Sequence, residues 1–130
     1  MTTTEPTVAA RLQHKMILMS HDVDLQNTVQ QTLPEGWQLR CTTDLDSLGS
    51  FDQLLLYRFI FLDLDSLTDD FDPQEAISKV RREWMLNVPI FCFGGSADER
   101  DEARLNRADR FFEREEIAER LIQFCHQFRW

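Results

Sequence analysis

Residues 59–63 read Phe-Ile-Phe-Leu-Asp, four bulky apolar residues running straight into a carboxylate. A run with no polar face to show to water describes a strand buried on both sides, as in a parallel sheet. Met16-Ile17-Leu18-Met19, ahead of Ser20-His21-Asp22, and Ile90-Phe91-Cys92-Phe93, ahead of Gly94-Gly95-Ser96, repeat the pattern. Parallel strands need crossover connections, and a sheet buried on both faces needs helices on both. The carboxylates Asp63 and Asp65 then fall at the C-terminal edge of the sheet, where open α/β folds bind ligands.

Helical patterns fill the gaps between these runs. Leu25, Val29 and Leu33 recur at helical spacing until Pro34 and Gly36 stop them. Trp37 to Cys41 alternates like an edge or half-buried strand. Asp44 to Leu56 reads as a short helix with Leu45, Leu48 and Leu55 inward, weakened by Gly49. Asp72-Pro73-Gln74-Glu75 combines a capping residue, a first-turn proline and a glutamate three after the cap. Ala76, Ile77, Val80 and Trp84 continue that helix. Ala97 to Arg107 is a very polar helix, with Ala103 and Leu105 its obvious apolar residues. Arg110-Phe111-Phe112 is a minimal strand, and Glu115 to Phe128 is a last helix with Ile117, Leu121, Phe124, Cys125 and Phe128 on one stripe.

Five strand–helix units in succession, joined by right-handed crossovers, predict one doubly wound α/β fold. It is a (βα)5 flavodoxin-like arrangement with parallel strand order 2-1-3-4-5. Residues 1–14 carry no sustained pattern and read as a flexible N-terminal tail, leaving 15–130 as one domain.

Charge and cysteine usage narrow the function. A formal charge of −9 repels phosphate backbones, which argues against nucleic-acid binding. Cys41, Cys92 and Cys125 lie far apart, with no spacing suited to zinc, and are expected to be buried, inert thiols in a reducing cytosol. The polar, acidic start offers no signal peptide, and no stretch approaches the roughly 20 apolar residues of a membrane span. A cytoplasmic protein with no membrane attachment is expected.

Five-stranded βα chains of this size with an aspartate ending the third strand resemble the receiver domains of bacterial response regulators. The resemblance covers about residues 15–128 and rests on spacing and pattern. It implies that Asp63 is the candidate phospho-acceptor, receiving a phosphoryl group from a kinase histidine. It also implies an acidic pair after the first strand that holds Mg²⁺, a hydroxyl after the fourth strand, a lysine after the fifth and a switch aromatic on the fifth. Such a nucleophile needs its charge offset before a phosphoryl anion can approach, which is the work of the metal and the lysine.

Few of those parts are kept. The acidic pair falls on Ser20 and His21, with Asp22 at the third acidic position, or on His21 and Asp22 after a one-residue shift that fits the following helix less well; Asp22 and Asp65 are the improvised metal ligands if Mg²⁺ is used. The hydroxyl position falls on Gly94, with Ser96 two residues later, the lysine position on Arg114, and the switch aromatic on Phe111. The chain thus resembles an atypical, degenerate receiver. Otherwise, Asp63 is a strand-end carboxylate paired with Arg114 or capping nearby backbone.

Three readings compete. The first is a stand-alone atypical receiver in bacterial signal transduction, not an enzyme. It acts through contacts with a protein partner, a histidine kinase or downstream effector, or as a homodimer. Arg104, Arg107 and Arg110, with terminal Phe128 and Trp130, are the interface candidates. The second keeps phosphotransfer to Asp63 with Mg²⁺. The third is a small flavodoxin-like enzyme or nucleotide binder, disfavoured because Ser20 to Asp24 contains no glycine and carries acids that repel phosphate.

Overall fold

The three apolar runs become adjacent strands at the centre of a sheet. The structure, a computed structural model, describes residues 14–127. Its elements alternate: β1 (His14–Met19), α1 (Val23–Thr32), β2 (Trp37–Cys41), α2 (Phe51–Leu54), β3 (Phe59–Asp63), α3 (Pro73–Ser78), β4 (Ile90–Phe93), α4 (Ala97–Leu105), β5 (Arg110–Phe112) and α5 (Ile117–Gln127). All strands are parallel, in the order β2-β1-β3-β4-β5. This is the doubly wound (βα)5 fold expected from the sequence. β1 opens at His14, the last residue of the segment assigned to the tail. Residues 1–13, Phe128 and Trp130 lie outside the described residues.

Side chains alternate across the strands, so each inner strand feeds two cores. On one face Ile17, Ile60, Leu62 and Ile90 pack with Leu54, Ile77, Val80 and Ala103 from α2, α3, the turn after it and α4. On the other, Phe59, Phe61, Phe91 and Phe93 pack with Val29 of α1 and with Ile117, Leu121 and Phe124 of α5. Phe91 and Phe124 stack with centroids 4.6 Å apart and planes 14° from parallel. Such a pair adds about 0.5–1.5 kcal/mol beyond its buried area.

Several local expectations change. The segment from Asp44 to Leu56 is two pieces, a 3₁₀ turn at Leu45–Leu48 and then α2. Gly49 separates them at φ +109, where a side chain would be strained and its Cβ would crowd Gln53. The break resets the helical phase, so Leu54 is fully buried and Leu55, expected inward, is 58 % exposed. Leu105 is exposed as well, leaving Ala103 as the buried residue of α4. Cys92 and Cys125 are buried as expected, whereas Cys41 is exposed at the end of edge strand β2.

α3 runs into a π-helical turn, Lys79–Glu83, which carries Arg81 into the protein at 7 % exposure. Its Nη1 donates to the carbonyls of Leu86 and Val88, both at 2.9 Å, and its Nε to that of Arg107 at 3.0 Å. Nη2 donates to Asp109 Oδ2 at 2.7 Å, and that oxygen also accepts the Ile90 N–H. One buried cation therefore ties together the connections entering β4 and β5, at the end of the sheet away from Asp63.

Candidate functional site

β1 and β3 are neighbours, with Met19 in register with Leu62. The next residues, Ser20 and Asp63, therefore meet at the C-terminal edge of the sheet. Ser20 Oγ–H donates to Asp63 Oδ2 at 2.7 Å. Its hydroxyl is oriented by the Asp22 N–H, which donates to the same Oγ at 3.0 Å. Past the strand end, a 3₁₀ turn at Leu64–Ser66 folds back over the carboxylate. Ser66 Oγ–H donates to Oδ2 at 2.9 Å, and the Asp65 N–H donates to Oδ1 at 2.9 Å.

The remaining bonds come from Arg114, at the start of the 3₁₀ turn after β5. Its guanidinium reaches across β4 and grips Asp63 with both nitrogens, Nη1 to Oδ1 at 2.7 Å and Nη2 to Oδ2 at 2.9 Å. Nη2 also donates to Asp22 Oδ2 at 2.7 Å and Nη1 to Asp65 Oδ2 at 3.1 Å. The Phe93 ring lies under the guanidinium, 5.4 Å from centroid to Cζ. Five donors thus converge on Asp63, which is 1 % exposed. A carboxylate offers about four lone-pair sites, so both oxygens are saturated.

The electrostatics follow from these contacts. Burial alone pushes the Asp63 carboxyl up, but the hydrogen bonds from Arg114, Ser20, the Asp65 amide and Ser66 outweigh it, leaving the group below the ordinary aspartate value. The Arg114 hydrogen bond, with help from the Leu25 amide, holds Asp22 low. Pairing with Asp63 holds Arg114 above its already high value.

Asp22, Asp63, Asp65 and Arg114 therefore come together, around one guanidinium. Asp22 is committed twice, since its Oδ1 also accepts the Leu25 N–H as the N-cap of α1. Gly94 is buried beside them at φ +70, and a Cβ there would run into the Asp65 carboxylate. Glycine leaves the room in which Asp65 Oδ1 accepts the Gly95 N–H at 3.0 Å. Ser96 is engaged elsewhere, in a capping box with Glu99 that starts α4. Phe111 is half-buried on the other side of the sheet edge, with the Arg104 guanidinium 4.5 Å over its ring.

Among the interface candidates, Arg104 pairs with Asp101 of its own helix, Arg107 has φ +75 and donates to the Arg81 carbonyl, and Arg110 is exposed on β5. Sequence reasoning missed the roles of Ser20 and Ser66 at Asp63. The strand order 2-1-3 carries a signal for Ser20, because it makes the ends of the first and third strands neighbours.

The donor set does not fit a resident Mg²⁺. The ion wants open, hard oxygen ligands in a near-octahedral array. Both oxygens of Asp63 are taken, and Asp22 and Asp65 face Arg114. Among the described residues no three acidic, histidine or cysteine side chains are placed to hold one ion. Asp22 and Asp65, the expected metal ligands, both accept hydrogen bonds from the Arg114 guanidinium. An open cleft of about 460 Å³ lies over the site, walled by His21, Asp22, Asp65, Ser66, Thr68 and Asp70.

No protein-family model matches the sequence, and no curated protein does. Solved structures match it well in shape. The receiver domain of NtrX from Brucella abortus aligns at a TM-score of 0.66 and 22 % identity, covering 86 % of this chain and 95 % of that one. A response regulator signal receiver domain from Bermanella marisrubri aligns at 0.66 and 16 % identity, covering 87 % and 95 %. A response regulator receiver protein from Pseudoalteromonas atlantica aligns at 0.61 and 14 % identity, covering 87 % and 94 %. The chain has the receiver-domain fold. Among the described residues no helix is long and apolar enough to cross a membrane.

Proposed function

We propose that this chain is an atypical receiver module of bacterial signal transduction, working through protein–protein contacts rather than through a phosphorylated aspartate. One observation carries the reading: Asp63, at the acceptor position of the fold, has both oxygens saturated by five donors, two of them from Arg114. A phosphoryl group arriving at either oxygen displaces at least one of these bonds. Ser20, His21 and Gly94 supply neither the acidic pair nor the hydroxyl that such a transfer uses.

The partner is a protein, a histidine kinase or a downstream effector, or a second copy of the chain, in the cytoplasm. No catalytic turnover or nucleic-acid contact belongs to this reading. The −9 charge opposes the latter.

The test is partner capture and sedimentation with wild type and Asp63→Asn, each with and without acetyl phosphate and Mg²⁺. The same partner or the same dimer is expected in all four samples. Association that appears only with the phosphodonor, and only in wild type, transfers the role to phosphorylation of Asp63. A bound flavin or nucleotide in the purified protein supports the enzyme or nucleotide-binder reading instead.

A further inference from the structure

We infer that Arg114 is the resident counter-ion of this site, filling with its guanidinium the place among Asp22, Asp63 and Asp65 that a divalent cation would require. The inference rests on the reading that Asp63 is not a phospho-acceptor and deepens it. Each terminal nitrogen bridges two carboxylates, as a metal ion does. Nη2 joins Asp22 Oδ2 and Asp63 Oδ2 at 2.7 and 2.9 Å, and Nη1 joins Asp63 Oδ1 and Asp65 Oδ2 at 2.7 and 3.1 Å. A planar fork can make these four contacts at once, whereas a lysine ammonium is a single point with three donors.

Gly94 supplies an independent observation. With φ +70 and no Cβ, it leaves the space that the Asp65 carboxylate occupies. Any side chain at 94 would push Asp65 off the Gly95 amide and off Arg114. The missing hydroxyl at 94 and the arginine at 114 are thus two halves of one arrangement, in which the third carboxylate closes onto an internal cation.

Removing the guanidinium leaves Asp22, Asp63 and Asp65 facing one gap with no positive charge in it. Two of their oxygens each lay one hydrogen bond from the same nitrogen, so a modest inward movement gives a hard-oxygen cluster. A divalent cation with flexible oxygen coordination is the ligand class for such a cluster. The variant Arg114→Ala is therefore expected to acquire a Mg²⁺ or Ca²⁺ site that wild type lacks.

The test is thermal unfolding of wild type, Arg114→Ala and Arg114→Lys in EDTA and in about 10 mM MgCl₂, with NaCl matching the ionic strength. Wild type is expected to melt at the same temperature in both. For a dissociation constant near 1 mM, mass action raises the folded-to-unfolded ratio of Arg114→Ala about tenfold in MgCl₂, a shift of about 3–6 °C. Arg114→Lys, keeping a cation in place, is expected to shift by less. A wild-type shift as large as the variant's, or no shift in Arg114→Ala, overturns the inference. If Arg114→Ala is unfolded in EDTA, refolding on Mg²⁺ supports the inference and failure to refold overturns it. The functional reading fails on a different readout, phosphoryl uptake by wild type, so the two failures are distinguishable.

Discussion

Replacing Arg114 with alanine removes the cation from a carboxylate that is 1 % exposed. Asp63 keeps only the bonds from Ser20, Ser66 and the Asp65 amide. Breaking a buried ion pair from one side costs about 3–5 kcal/mol, because the surviving charge is left uncompensated. The Arg114 side chain is itself 33 % exposed, so solvent already screens part of the interaction. About 2–4 kcal/mol is the expected loss at pH 7. For a domain of this size that is roughly 6–15 °C in melting temperature.

The pH dependence gives the sign. The folded Asp63 and Asp22 both titrate below the ordinary aspartate value. A carboxylate lowered in the folded state lends stability that is present above its unfolded value and is lost as pH falls through its folded value. The unfolded value is about 3.9, so the deficit of Arg114→Ala is complete at pH 7 and narrows below about pH 4. Urea unfolding followed by circular dichroism at pH 7 and pH 3 measures both. A variant within about 0.5 kcal/mol of wild type at pH 7, a size typical of neutral surface changes, would show that the Arg114–Asp63 pair does not stabilise the fold. A deficit of the same size at both pH values would show that these carboxylates are not its source.

The far end of the sheet gives a second prediction: Arg81→Met strips the donors from three backbone carbonyls and leaves Asp109 without its cation, with an expected loss of about 3–5 kcal/mol by urea unfolding. Hydrogen exchange at the amides of residues 86–88 and 90 should quicken in the same variant, and unchanged exchange there would contradict the tie. Ser96→Ala removes only the α4 cap, so a loss of about 1 kcal/mol in urea is expected with the pH dependence of stability unaltered. An altered acid limb in that variant would place Ser96 in the Asp63 site instead. Native protein should react with one equivalent of a thiol reagent, at exposed Cys41, because burial pushes the Cys92 and Cys125 thiols up to about 12. Rapid loss of all three thiols in mass spectrometry would contradict the packing of both cores.

The strands were legible because burial on both faces forces apolar runs, as in Phe59–Leu62 and Ile90–Phe93, and local composition suffices to find them. The helices beyond α3's strong cap were less so. Nothing in the run from Asp44 to Leu56 shows that Gly49 takes φ +109 and resets the phase, which moves burial from Leu55 to Leu54. At the site, Asp63 and Arg114 were identifiable by their places at strand ends, and the pairing of the two was one of the arrangements open to them. In the structure Asp63 both pairs with Arg114 and caps the Asp65 amide. What the sequence hid is convergence: Arg114 lies 51 residues from Asp63 and 92 from Asp22 along the chain, and only the strand order brings them to one point. The Arg81 network was hidden for the same reason, with the added one that a π-helical turn, not a regular helix, points the side chain inward.

In the proposed reading the Asp63 carboxylate, held by Arg114 and by its hydroxyl and amide donors, is not available as a nucleophile. Intact-mass spectrometry of wild type and Asp63→Asn, after incubation with acetyl phosphate and Mg²⁺, tests it most directly. No added phosphoryl group is expected on either protein. A phosphoryl group gained by wild type and absent from Asp63→Asn would contradict it.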